Sequence, residues 1–390
     1  MKILFVSAVL PYPLYSGGQV RIYNLLKQLS RSHKITLFSF IRSEEERTYE
    51  SKLSFLASVH MVYRGRALTP RYLTKIFSKY PLLLETYNNE KMRQLLFTEL
   101  KNNQYDLIHI EPYYVFPSIP DVSIPLVVAE HNIEHSVYEA NAKTFPFSLV
   151  RPILAADARK VRVWEERVWK KATALVAVSE DDAKCIRSIT NCKVSVVPNG
   201  VDIQSFPFVQ HSFNMASPTF LFVGNFLWAP NKEALVTLLK NIWPAISKKF
   251  PTATLTIVGK QFPKSMESYV QKNVIVQQDL LNIHDAFISH DVLLAPMGIG
   301  GGTKFKILEA MASGTAVITT RAGYMGIQAK AGEHIVEANV TEDFVKAVTS
   351  LYANPQRTLV MTRAARLLVE KLYDWRVIAK SLDEVWRNQK

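Results

Sequence analysis

The sequence predicts an α/β protein in which two doubly wound, Rossmann-like domains face a central cleft. Short apolar runs of strand length alternate with longer segments that have helical periodicity. The alternation stops at the polar, proline-containing segment 204–219 and then begins again, which indicates a linker between two domains. Glycine loops follow apolar strands in both halves, at the strand ends where open α/β sheets bind their ligands.

The first domain is predicted to cover residues 1–205 and to contain a parallel sheet. Its apolar runs are continuous rather than alternating, as is typical of strands that helices cover on both faces. The predicted strands are Lys2–Ala8, Ile35–Phe40, Val59–Tyr63, Leu107–Ile110, Leu126–Ala129, Leu175–Val178 and Val194–Val197. A helical pattern at Tyr23–Leu29 comes after the first strand and its glycine loop.

The second domain, residues 206–371, repeats this pattern after the linker. Its predicted strands are Phe220–Val223, Leu255–Val258, Val274–Val276, Val292–Ala295 and Ala316–Thr319. The chain ends in a helical segment at about 372–390, which we expect to pack back onto the first domain.

Composition indicates a globular enzyme rather than a nucleic-acid-binding or membrane-spanning protein. A chain of 390 residues with 48% hydrophobic and 21% charged residues can form two cores. The net charge of +13 is spread over both halves instead of forming one basic arm, which fits anionic substrates or an anionic membrane surface. The apolar run Ile3–Leu10 is too short to span a membrane, and the two cysteines form no disulfide framework. We therefore expect a cytoplasmic protein.

The strongest site signal is the stretch GIGGGTKFKILEAMASG at residues 298–314. It follows a buried strand and opens a helix, so its bare backbone amides at a helix N-terminus predict an anion site. Thr303 is expected to cap the helix, and Lys304 adds a positive charge beside the amides. The residues expected to contact the anion are Gly300, Gly301, Gly302, Thr303 and Lys304.

Two common phosphate-binding motifs are excluded for this loop. A nicotinamide-binding G-x-G-x-x-G would need glycine at Thr303, and its acid is missing after the strand Ala316–Thr319. A P-loop would end in G-K-S or G-K-T, which is also missing. Because the sequence contains no D-x-D metal clamp, we expect helix dipoles and lysines to neutralise a diphosphate without a metal or another cofactor.

Three weaker features mark other strand ends. The Gly17-Gly18 loop after the first strand is either an ordinary turn or a place where a phosphate or sugar approaches the backbone. His131 follows a strand of the first domain and is either a hydrogen-bonded loop residue or a catalytic one. Asn225 opens the first loop of the second domain, and Lys232 begins the next helix either as a cation facing phosphate or as a solvated side chain.

The order of these motifs resembles glycosyltransferase family 4. The resemblance rests on the glycine pair, E-H-N, V-P-N-G-V-D before the linker, F-V-G-N after it, and the glycine-rich stretch near the end. It implies the GT-B fold and a retaining, metal-independent hexosyltransferase that uses a nucleotide diphosphate sugar. The acceptor would be a glycan, a lipid-linked molecule or a small molecule, in the synthesis of a cell-surface polysaccharide or glycoconjugate.

The resemblance also implies roles for individual residues. Gly18 would lie against the diphosphate, His131 would face the reacting sugar, and Gly301 to Lys304 would cradle the phosphates. Glu309 would bind the nucleotide ribose and, with His131, form the catalytic pair. Retention in this family is described as front-face attack, in which the donor's own phosphate helps to deprotonate the acceptor. Stabilising the charge of the leaving diphosphate then becomes the main task of the protein.

Two positions depart from the family pattern. Members usually carry two glutamates eight positions apart, and here the first falls at Gly301 while the second is Glu309. The family's arginine after F-V-G is replaced by Asn225, which leaves Lys232 as the matching cation.

Two alternative functions remain open at this point. A sugar-nucleotide epimerase on the same fold would need acidic and basic groups that converge on the sugar, and Glu130 and Glu134 keep that open. A catalytically degenerate subunit that supports a partner enzyme would explain the missing first glutamate.

The segments 63–75 and 151–171 are rich in basic and aromatic residues. They either rest on anionic lipid as a peripheral membrane surface or form a solvated helix face with core tryptophans.

Overall fold

The computed structural model describes residues 1–65, 74–278, 280, 283–298 and 304–389. The chain divides into two compact units, one formed by Met1–Pro198 with Ile378–Lys390 and the other by Asn199–Val377. Each unit contains a parallel sheet connected by helices, so the α/β class predicted from the sequence is confirmed.

The first unit is built on a seven-stranded parallel sheet in the order β3-β2-β1-β4-β5-β6-β7. Its strands are β1 Lys2–Ser7, β2 Lys34–Ile41, β3 Ser58–Tyr63, β4 Leu107–Glu111, β5 Leu126–Ala129, β6 Ala174–Ala177 and β7 Lys193–Val196. The strand order reverses between β1 and β4, and open sheets of this kind bind ligands outside the carboxyl ends of the strands at such a switch point.

Helices connect these strands. They are α1 Gly17–Leu29, α2 Leu82–Tyr87, α3 Glu90–Asn102, α4 Glu134–Thr144, α5 Arg151–Lys171 and α6 Glu180–Arg187, with 3₁₀ segments at Glu44–Leu53, Thr74–Phe77, Tyr113–Ser118 and Ser148–Val150. The helix α1 begins where the Ser16 side chain accepts a hydrogen bond from the Gln19 amide. Its buried face includes Ile22, Leu25 and Leu29, which recur at helical spacing.

The second unit is built on a six-stranded sheet in the order β10-β9-β8-β11-β12-β13. Its strands are β8 Thr219–Asn225, β9 Thr254–Lys260, β10 Val274–Gln278, β11 Val292–Ala295, β12 Ala316–Thr319 and β13 Val336–Glu337. The two-residue strand β13 is too short to leave a pattern in the sequence and was not predicted, whereas every predicted strand of both units is present within a few residues of its expected bounds.

The helices of the second unit begin with α7 Ala229–Thr237, which continues through a π-helical turn at Leu238–Ile242 into α8 Trp243–Lys249. They continue with α9 His284–Ile288, α10 Phe305–Ser313, α11 Thr341–Ala353 and α12 Pro355–Leu372, and 3₁₀ segments lie at Lys264–Tyr269 and Arg321–Tyr324. Within the part of the chain that the structure describes, no helix is both long enough and apolar enough to cross a bilayer.

The last helix, α13 Trp375–Arg387, runs into the segment that belongs to the first unit. There the Trp386 indole donates a hydrogen bond to His109 Nδ1 at 3.0 Å. One turn earlier, Asp383 Oδ1 lies 2.7 Å from His33 Nε2. These contacts hold the C-terminal residues to β4 and to the loop before β2.

Candidate active site

The switch point of the first sheet carries a buried carboxylate, Glu111, at the end of β4. Its Oε1 accepts a hydrogen bond from Arg21 Nε at 2.8 Å and lies 2.7 Å from His131 Nε2, while Oε2 lies 3.3 Å from His109 Nε2. Burial opposes its ionisation, yet the Arg21 charge and the hydrogen bonds from the two histidines hold the pKa of Glu111 well below its usual range. Glu111 is therefore an ionised group inside the fold.

Arg21 ties this carboxylate to the end of the sheet. The side chain comes from the second turn of α1 and is almost fully buried. In addition to Glu111, its Nη1 donates to the carbonyls of Val197 and Pro198, each at 2.9 Å. These carbonyls belong to the V-P-N-G-V-D motif, so one role of that motif is to accept hydrogen bonds from a buried guanidinium.

His131 is the half-buried member of this group, and Glu111 determines its orientation. An ionised carboxylate only accepts hydrogen bonds, so His131 Nε2 carries a proton and donates it to Glu111 Oε1, and this fixes the ring with Nδ1 facing away from the carboxylate. The sequence placed His131 at a strand end but gave no indication of its partner, which lies twenty residues earlier on a neighbouring strand.

Gly18 packs directly against the His131 ring. A Cβ atom at position 18 would lie 3.0 Å from His131 Cε1 and 3.1 Å from Nδ1, closer than ordinary van der Waals contact. The glycine therefore leaves room for the imidazole at the N-terminus of α1, where Gly17 is the first helical residue. The predicted contact of Gly18 with a diphosphate stays a prediction. Close packing against the His131 ring already accounts for a glycine at this position.

A second set of carboxyl groups anchors the loop that carries His131. The Trp169 indole on α5 donates to Glu130 Oε1 at 2.8 Å. Glu165, also on α5, accepts from the backbone amides of Glu134 at 2.8 Å and His135 at 3.1 Å, at the start of α4. Burial and the Glu165 charge raise the pKa of Glu130 well above its usual range and that of Glu134 to about 7. Glu130 therefore supports the loop from within the fold.

In the second unit, Asn225 at the end of β8 organises the turn that follows. Its Oδ1 accepts from the Leu227 amide at 3.1 Å, and its backbone carbonyl accepts from Asn231 Nδ2 at 2.9 Å. The neighbouring strand β9 lies so close to β8 here that a Cβ at Gly259 would be 1.8 Å from the Gly224 carbonyl oxygen. Lys232, the cation that the sequence favoured here, is exposed to solvent in the first turn of α7.

The glycine-rich motif leads into α10, and its structure is described from Lys304 onward. Gly300, Gly301, Gly302 and Thr303 lie outside the described residues. The helix begins at Phe305, so Lys304 rather than Thr303 occupies the position before it, and the expected cap is corrected by one residue. A threonine at this cap would satisfy an amide, whereas Lys304 makes no side-chain cap hydrogen bond.

Glu309 lies in the second turn of α10 with its flanking side chains turned inward. Leu308 and Met311 are buried in the core, as expected from helix period, while Glu309 is half-buried. Burial raises the pKa of Glu309 to about 7, against the opposing effect of the Lys306 charge.

Sequence reasoning missed Lys306, which also projects from α10. Its Nζ donates to Asn231 Oδ1 at 2.9 Å and lies 5.2 Å from the centre of the Phe222 ring. Burial, and then the charge of Lys304, lower the pKa of Lys306 to about 7. The signal that could have found it is its spacing of three from Glu309, which places both on one face of a helix.

Among the residues that the structure describes, no group of three histidine, cysteine, aspartate or glutamate side chains is arranged to hold a metal ion.

Comparison with known families decides the identity of this fold and its motifs. The profile described as Glycosyltransferase Family 4 matches residues 15–205, and the profile described as Glycosyl transferases group 1 matches residues 217–354. The chain belongs to glycosyltransferase family 4. Each unit is thus matched over most of its length by one of the two profiles.

Curated relatives agree with this assignment at low identity. A Klebsiella pneumoniae protein named as an uncharacterized 44.6 kDa protein in the cps region is 23% identical over 396 residues, which cover 98% of each chain. A phosphatidyl-myo-inositol mannosyltransferase of Mycobacterium leprae is 24% identical over 297 residues, or 74% of each chain.

Solved structures show the same GT-B fold. The sucrose-phosphate synthase of Thermosynechococcus elongatus superposes with a TM-score of 0.72 at 16% identity, covering 100% of this chain and 99% of that one. Anabaena HepE, solved in complex with UDP-glucose, gives a TM-score of 0.64 at 14% identity and covers 100% of both chains. The predicted GT-B fold is confirmed.

Proposed function

We propose that this glycosyltransferase is a retaining, metal-independent hexosyltransferase that transfers a sugar from a nucleotide diphosphate sugar in surface polysaccharide or glycoconjugate synthesis. The observation that carries the proposal is the Arg21–Glu111–His131 arrangement at the carboxyl edge of β1, β4 and β5. It holds the imidazole in one orientation beside the N-terminus of α1, as a group that contacts a sugar at a reaction centre requires.

In this proposal, His131 binds the transferred sugar, and Glu111 fixes the imidazole. Glu111 accepts a hydrogen bond from the proton-bearing Nε2, and in this proposal Nδ1 forms the hydrogen bond with a sugar hydroxyl. The bond between the anomeric carbon and the diphosphate breaks while the acceptor oxygen attacks the same face. The acceptor proton passes to an oxygen of the leaving diphosphate, so no protein nucleophile takes part.

The second unit is proposed to hold the donor. Glu309 accepts hydrogen bonds from the two ribose hydroxyls, because a carboxylate has acceptor sites for both. Lys304 and the amides at the start of α10 contact the phosphates, with the glycines of the preceding loop. The fold shared with HepE, which was solved with UDP-glucose, supports a nucleotide-sugar donor.

The acceptor is proposed to be a glycan or a lipid-linked molecule at the inner face of the cell membrane. The names of the two curated relatives support this, since one comes from a cps region and the other is a phosphatidyl-myo-inositol mannosyltransferase. A further support is the segment 147–150 directly before α5, here called the tip. Leu149 is 90% and Phe147 69% exposed there, beside the basic surface of that helix. Most of the other predicted lipid-facing segment, 63–75, lies outside the described residues.

The test uses the purified full-length protein with UDP-, GDP- and ADP-sugars and a panel of lipid-linked and free oligosaccharide acceptors. We expect acceptor-dependent release of a nucleoside diphosphate, retention of anomeric configuration by NMR, and equal activity with and without EDTA. An inverted product would refute the retaining mechanism, and loss of activity in EDTA that Mg²⁺ or Mn²⁺ restores would refute metal independence. Epimerised donor without transfer would identify an epimerase, and an inert protein would support the degenerate subunit.

A further inference from the structure

Lys306 lies where two helices present their N-termini. It is the second residue of α10, and its Nζ reaches Asn231, the third residue of α7, at 2.9 Å. A helix N-terminus carries partial positive charge, so a cation is disfavoured there and an anion is favoured. The side chain therefore adds positive charge to a place where the backbone of two helices is already positive.

Among the described residues, the atoms that contact the ammonium belong to neutral groups. It has three donor hydrogens, and its neighbours are the Asn231 amide oxygen, the Met297 sulfur at 3.8 Å and the face of the Phe222 ring. Within the described ranges no carboxylate forms an ion pair with Lys306. The Glu309 charge on the same helix favours the ammonium but forms no ion pair with it, and a partly buried charge without an ion pair is costly unless a ligand completes the arrangement.

The turn after β8 is built to hold Lys306 in this place. Asn231 Nδ2 donates to the Asn225 carbonyl at 2.9 Å, which turns its Oδ1 toward the lysine. A Cβ at Gly224 would lie 3.3 Å from both Cβ and Cγ of Asn231, so glycine leaves room for the asparagine. The F-V-G-N motif thus positions a lysine that lies eighty residues later in the chain.

We propose that Lys306 is a direct ligand of the donor's diphosphate, positioned by Asn231, and that this lysine rather than Lys232 is the main cation contributed beside the turn after β8. The inference rests on the proposed donor class for its ligand. The inferred position of the diphosphate rests on the geometry of two helix N-termini and on Lys306, which forms no ion pair with a described residue.

A proton balance follows from the same geometry. Among the described residues, the charged groups that act on Lys306 are Lys304, which precedes α10, and Glu309 on α10. The other elements present neutral groups: Asn231 on α7, Phe222 on β8 and Met297 after β11. In the free protein the pKa of Lys306 is lowered to about 7 by burial and by Lys304. A bound diphosphate favours the ammonium form, so binding takes up a proton where the free lysine is neutral, above about pH 7.

The experiment compares Lys306→Met with Lys232→Met, a matched control that removes an exposed lysine from α7. Calorimetry with UDP, GDP, ADP and inorganic pyrophosphate is run at pH 8 in two buffers of different ionisation enthalpy. We expect Lys306→Met to weaken the preferred diphosphate by about 10- to 150-fold, the range for a hydrogen bond to a charged group, and to abolish proton uptake. Lys232→Met should bind as the parent does, and binding of the corresponding nucleoside should change in neither variant.

The same variant gives a readout without any ligand. Because methionine removes an unpaired positive charge from two helix N-termini, free Lys306→Met should melt at or above the parent temperature below pH 7. The inference would be overturned if Lys306→Met bound the diphosphate as the parent does with unchanged proton uptake, or if the variant lost much of its stability. In either case, nucleotide binding by the parent would still uphold the donor class. Pyrophosphate binding that depends on Lys306, without binding of any nucleotide, would uphold the inference and refute the donor class. Failure of the parent to bind any of the four probes would overturn both.

Discussion

The substitution Glu111→Gln tests the centre of the first unit, because it removes one charge and changes little in shape. Glu111 is fully buried, and its Oε1 receives both Arg21 and His131, at 2.8 and 2.7 Å. Glutamine leaves the Arg21 guanidinium as a buried charge without its counter-ion, which typically costs about 3–5 kcal/mol. At about 2–4 °C per kcal/mol for a unit of this size, the melting temperature should fall by roughly 6–20 °C.

Scanning calorimetry measures this fall, and a double variant separates the charge from the packing. Adding Arg21→Met to Glu111→Gln removes the unpaired guanidinium, so the double variant should be less destabilised than the sum of the two single variants. Transfer activity should also drop in Glu111→Gln, because a glutamine can present its NH₂ group to His131, and the imidazole is then no longer held in one orientation. A melting temperature within about 2 °C of the parent would refute the assignment of Glu111 as an ionised, structurally required group.

The pH dependence of the same group has a definite sign. The folded protein holds the pKa of Glu111 well below that of the unfolded chain, so the folded state binds fewer protons. The stabilising contribution is therefore complete above the unfolded pKa, near 4.5, and is lost as the pH falls toward the folded value. Acid titration followed by circular dichroism should show a steeper loss of stability for the parent than for Glu111→Gln, and parallel acid limbs would contradict this reasoning.

Three further predictions concern separate parts of the protein. Gly18→Ala places a methyl group 3.0 Å from His131 Cε1, so kcat should fall while the melting temperature is unchanged or rises, since alanine favours helix; an unchanged kcat would argue against His131 at the reaction centre. Glu309→Gln should lose donor affinity. Because burial raises the pKa of Glu309 to about 7, the stability of the variant relative to the parent should increase as the pH rises from 5 to 8 in thermal melts. A stability difference between variant and parent that stays constant over this pH range would contradict a buried carboxyl. Leu149→Glu should reduce co-sedimentation with anionic vesicles while Leu367→Glu, exposed on α12, should not; equal effects would argue against a membrane-facing tip.

The strands and the family could be predicted because both depend on short-range features of the chain. Strands that are buried on both faces need continuous apolar runs, and the glycine loops between them recur at fixed places in the motif order. The strand Val336–Glu337 escaped prediction because two residues carry no periodicity.

The partners within the sites could not be predicted, because the fold joins residues that lie far apart in sequence. Glu111 is visible as an acid after an apolar strand, yet nothing in the sequence indicates that Arg21 and His131 meet on its Oε1. The preference for Lys232 over Lys306 has a similar cause. Proximity in sequence to β8 favoured the former, whereas the hydrogen bond from Asn231 to Lys306 depends on how α10 packs beside α7.

The site groups of the two units have charges of opposite sign, and each sign is the one that would stabilise a charge that develops during glycosyl transfer. When the bond to the diphosphate breaks, positive charge develops on the sugar and negative charge on the leaving group. The first unit holds an ionised Glu111 behind His131, and this negative charge favours positive charge near the imidazole. The second unit holds Lys304, Lys306 and the N-terminus of α10, which favour negative charge. Each set is held by hydrogen bonds within its own unit before any substrate is bound. Such preorganisation is usually the largest contribution that a protein makes to lowering a barrier of this kind, and in the proposed function it offsets the absence of the first family glutamate, which is glycine at position 301.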